Sequence, residues 1–79
     1  MTIQEKLDAI NKKFKTEMVE ASETRFVGNI YEENKHTHNI TLNNANEIYI
    51  EPLDEYGEPD GTCVFYKFNE SGNIVATEE

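Results

Sequence analysis

The hydrophobic period of this chain changes once, and that change bounds what it can fold into. Through Ala21 the apolar residues Ile3, Leu7, Ile10, Phe14, Met18 and Ala21 recur at spacings of three and four, the period of one helix face. Beyond Ser22 the period becomes two, which is the alternation of a strand with one buried side. The first segment therefore predicts an amphipathic helix over 2–22. Thr2 followed by Glu5 supplies a capping box, in which each side chain satisfies an amide that the first turn leaves unpaired. Lys12, Lys13 and Lys15 fall off the apolar stripe and belong to solvent.

Strands are expected at about 24–32, 38–43, 47–51, 62–69 and 73–77. Ile40 and Leu42, then Ile48 and Ile50, then Val64, Tyr66 and Phe68 alternate with more polar neighbours. The Asn43–Asn46 connection suits a tight hairpin because Asn tolerates left-handed backbone, and Ser71-Gly72 suits a second turn. With short connections throughout, neighbouring strands pair antiparallel. The expected fold is α+β: one N-terminal amphipathic helix packed on a four- to five-stranded antiparallel meander, a single domain over 1–79. Glu78 and Glu79 are expected to fray.

At 79 residues and 37% apolar composition the core is one thin layer, with little left over to wall off a substrate. A nucleophile needs an oriented base beside it. Cys63 is the only thiol, and His36 and His38 sit in a polar stretch between expected strands. The glycines stand apart at 28, 57, 61 and 72, so no phosphate-cradling loop is present. No enzymatic activity is expected. His36-Thr37-His38 puts two imidazoles on one side of an extended chain near Glu32 and Glu33, yet the cysteine pairs of a structural zinc site are missing. The acidic 51–60 stretch lacks the alternating carboxylates of an EF-hand loop. Neither a metal nor another cofactor is expected.

Charge carries more information than any motif. The formal net charge is -9, and it is unevenly placed. Four lysines against Glu5 and Asp8 leave the first fifteen residues at +2, whereas fourteen acids against Arg25, Lys35 and Lys67 leave the remainder at -11. Such a surface repels nucleic acid and anionic membranes and attracts a basic protein. No apolar run approaches the length of a membrane span, and the charged start MTIQEKLDAI has no signal-peptide core. With a single cysteine, a reducing cytoplasm is the expected location.

The densest acids are Glu51, Asp54, Glu55, Glu58 and Asp60, with Tyr56 as a contact anchor, joined by Glu32 and Glu33. Spread over a small rigid sheet, such carboxylates can stand in for phosphates in a basic groove. In size, acidity and want of an active site the chain resembles the small inhibitors encoded by phages and mobile elements, without a motif to match. That likeness implies a non-enzymatic inhibitor of a nucleic-acid-handling protein. The other class is an interaction or assembly module, such as an immunity protein, an adaptor or a homodimer. It would use the sheet face away from the helix, where alternation turns Tyr49 and Phe65 outward.

Overall fold

In the computed structural model, which describes residues 2–44 and 46–77, one helix lies on one face of a six-stranded antiparallel sheet. The elements run α1 (Ile3–Phe14), β1 (Val19–Ser22), β2 (Arg25–Glu32), β3 (Lys35–Asn43), β4 (Glu47–Pro52), β5 (Val64–Phe68) and β6 (Ile74–Ala76). Sheet order equals chain order, a simple meander. The α+β class is as expected, with six strands rather than four or five. Ala45 of the 43–46 turn and the terminal Glu78 and Glu79 lie outside the described residues.

The helix begins where the capping box places it. Glu5 N–H donates to Thr2 Oγ1 at 3.1 Å, and Thr2 N–H donates to Glu5 Oε1 at 2.9 Å. Its end corrects the sequence reading, because α1 stops at Phe14 and not at Ser22. Lys15 takes a left-handed backbone with φ 53, and Thr16 N–H reaches back to the Asn11 carbonyl at 3.2 Å, a Schellman closure. The Asn11 side chain then accepts from Met18 N–H at 3.0 Å and so steers the chain out of the helix. Met18 still packs against the core, now from the linker. That placement explains why the four-residue spacing runs on past the helix end.

Beyond the linker, 19–22 is an edge strand that sequence reading missed. All four of its residues are exposed, so no alternation marks it. Glu17, Glu20 and Glu23, which a helix over 2–22 would set at its end, consequently lie in the linker, on β1 and in the β1–β2 turn. β3 starts at Lys35 rather than 38, because Glu33 and Asn34, with φ 53 and 67, make a two-residue turn whose twist carries the ladder straight on. β5 and β6 are shorter than expected. Asp60 holds Thr62 in a turn before β5, and Asn69 accepts from Ser71 and Asn73 N–H between the two strands.

Residues opposite one another in an antiparallel ladder share a face. Ile40 pairs with Ile50 and Leu42 with Ile48, and all four are buried under Leu7 and Ile10 of the helix, with Phe68 beside them. Phe14 meets Tyr66 edge to face at 5.4 Å. Val64 lies on the same face but stays 45% exposed, since the helix ends before covering it. The linker crosses the sheet over Gly28, with Thr16 beneath it buried at 7% exposure.

Candidate protein interface

A meander brings every second connection to the same end of the sheet. The β2–β3 turn, the long β4–β5 connection and the C-terminus of α1 share one end. The β1–β2, β3–β4 and β5–β6 turns share the other. Glu32, Glu33, Glu51, Asp54, Glu55, Glu58 and Asp60, far apart in the chain, therefore lie at one end together with Tyr56. Bases at that end include Lys13 from the helix, Lys15 just past its end and Lys35 from β3.

The 53–63 connection is a built structure. Leu53 N–H donates to the Thr37 carbonyl at 2.9 Å, which ties the loop to β3, and Leu53 bridges Pro59 across a small hairpin. Asp54 N–H donates to the Glu58 carbonyl at 2.7 Å, and Gly57, at φ 80, occupies a turn position that side chains resist. Two of the acids are consumed in this scaffold. Asp54 Oδ1 accepts from the amides of Tyr56 at 2.9 Å and Glu58 at 3.0 Å. Asp60 Oδ1 accepts from the hydroxyl of Thr62 at 2.7 Å and its amide at 2.8 Å, bonds that hold the Asp60 carboxyl below its ordinary range. Glu55 and Glu58 project into solvent, and Tyr56 is 82% exposed between them.

The two histidines do not converge. Ile30 pairs with His38 and Tyr31 with His36, so Thr37 is an extra residue in β3 and the alternation reverses across it. His36 turns to the open face, where it packs on Tyr31 at 5.4 Å and its Nε2 meets Asn39 Oδ1 at 2.8 Å. His38 turns to the helix side and borders a groove of about 360 Å³ floored by Ile30, Ile50, Val64 and Tyr66. The expected sharing of one side is corrected by this bulge. Among the described residues, no three His, Cys, Asp or Glu side chains gather where they could hold a metal ion.

Tyr49 and Phe65 form a second, separate group on the face away from the helix. Their rings meet edge to face at 5.1 Å. The Tyr49 hydroxyl donates to Glu47 Oε2 at 2.8 Å, and that carboxylate pushes the phenol above its ordinary range. With Arg25, Thr41, Glu51 and Cys63 they border a shallow depression of about 380 Å³. Glu51 thus belongs to both groups, at the corner where the acidic end meets the open face. Thr41 was not legible as a member from local pattern, because only its pairing with Tyr49 sets it beside the aromatics.

No helix among the described residues is long and apolar enough to cross a membrane. No protein-family model matches the chain, and no curated protein or solved structure is significantly similar to it.

Proposed function

We propose that this protein is a small non-enzymatic inhibitor that occupies a basic surface of a nucleic-acid-handling protein with the acidic end of its sheet. The observation that carries the reading is the gathering of seven carboxylates from two distant segments at one end, on strand ends and on connections, the longer of which is tied to the sheet by backbone hydrogen bonds. A rigid array of charge loses little entropy on docking and complements a groove that otherwise holds phosphates. Glu55, Glu58, Glu32 and Glu33 supply the charge, Tyr56 the anchor, and Asp54 and Asp60 the loop geometry.

Immobilised wild type and a Glu55→Lys/Glu58→Lys variant, exposed to bacterial lysate at low and high salt, test the reading. A nucleic-acid-handling protein held by wild type should be released by salt and by competing DNA or RNA, and absent from the variant. Identical capture by both at low salt overturns it. The contact between Tyr49 and Phe65 favours a second reading, an assembly module that binds through the open face, and such binding survives high salt.

A further inference from the structure

The open face of the sheet is self-complementary, and we infer that it pairs with the same face of a second copy of this chain. The strand register sets one row of side chains straight across five strands: Val19, Val27, Thr41, Tyr49 and Phe65. The next row reads Ser22, Arg25, Asn43, Glu47, Lys67 and Val75. Both rows are organised about β3. Thr41 and Asn43 sit at the centre; in the first row valines lie on the β1–β2 side and aromatics on the β4–β5 side, and in the second Arg25 and Glu47 flank Asn43.

A two-fold axis along β3, in the plane between two such faces, keeps each row in place and lays β2 of one copy over β4 of the other. Val27 then meets Tyr49, Val19 meets Phe65, and Arg25 meets Glu47, each contact made twice as an isologous interface requires. Val19 is 59% exposed in the single chain and gains an aromatic cover. The modest offset at which stacked sheets pack leaves these pairings within reach.

Charge selects a second copy over a basic partner here. The strand residues of this face include Arg25 and Lys67 against Glu47 and Glu51, a balance of zero in a chain whose net charge is -9. A basic protein is drawn to the acidic end instead. Six strands at a spacing of ~4.8 Å give a face ~24 Å wide. Two such faces bury on the order of 1,000 Å², the lower bound of a specific interface and consistent with a micromolar dimer. In this arrangement both acidic ends lie side by side and form one longer acidic edge. The dimer does not depend on the inhibitor reading.

Sedimentation equilibrium of the whole chain, from low micromolar to sub-millimolar concentration, tests the inference. Wild type should be a concentration-dependent dimer, and Phe65→Glu a monomer with an unchanged far-ultraviolet spectrum. Arg25→Glu and Glu47→Arg should each raise the dissociation constant about tenfold or more, and Arg25→Glu/Glu47→Arg together should restore it. A wild type that stays monomeric overturns the inference and leaves the stripe to a different protein. A dimer indifferent both to Phe65→Glu and to the single charge reversals also overturns it, because association then uses another surface.

Discussion

Thr16 Oγ1 donates to the Asn29 carbonyl at 2.6 Å, and this bond draws the chain leaving the helix down onto the sheet over Gly28. A Cβ at position 28 would lie 2.7 Å from Thr16 Oγ1, 2.9 Å from Met18 Sδ and 3.1 Å from the Glu17 carbonyl. The Met18 side chain can swing aside, but Thr16 is held by its bond and the Glu17 carbonyl is backbone. Gly28→Ala should therefore destabilise the fold by ~1–3 kcal/mol through overpacking, despite the general preference of strands for Ala over Gly. Urea denaturation of the variant checks this, and an unchanged midpoint would mean that the linker does not press on β2.

Phe14 closes the core at the last turn of the helix, edge on to Tyr66. It is only half-buried, so Phe14→Ala should cost about 3 kcal/mol, the low end for losing a core aromatic. Thermal unfolding followed by circular dichroism reads the loss. Phe14→Leu keeps most of the apolar contact and should recover more than half of the stability.

Glu33 holds φ 53 at the first position of a turn that asks for left-handed backbone twice. A side chain with a Cβ pays roughly 1 kcal/mol for that conformation, and Gly or Asn pays much less. Glu33→Gly should raise stability by ~0.5–1 kcal/mol, one of few substitutions expected to do so. A lower unfolding midpoint would show that the Glu33 side chain contributes more than its backbone costs.

Two carboxylates should stay ionised to lower pH than their ordinary range. The Asp60 carboxyl is held down by the hydroxyl and amide of Thr62, and the Glu5 carboxyl by the amide and hydroxyl of Thr2. Because both folded values lie below the unfolded ones, these bonds contribute fully above the unfolded carboxylate range and are lost as pH falls through the folded values. Carbon-detected nuclear magnetic resonance should find the Asp60 midpoint below its ordinary range, and Thr62→Val should raise it by removing the hydroxyl donor. A midpoint that Thr62→Val leaves in place would contradict the loop geometry.

The order of helix and antiparallel strands was legible because it rests on local period. Ile40, Leu42, Ile48 and Ile50 alternate whatever their partners are, and the capping box at Thr2 and Glu5 spans a single turn. The helix end was hidden because it depends on Asn11, whose carbonyl and side chain bind residues five and seven positions ahead, while Met18 mimics the helical spacing from outside the helix. β1 was hidden because an exposed edge strand buries nothing to pattern. The acidic residues could be counted in the chain, but their assembly at one end depends on the direction of each strand. Which acids build the loop and which project depends on hydrogen bonds to Thr62, Tyr56 and Glu58. The separation of His36 from His38 rests on one extra residue in β3. A period is a property of consecutive residues, whereas register, face and end are set by partners many positions away, so only the tertiary structure decided them.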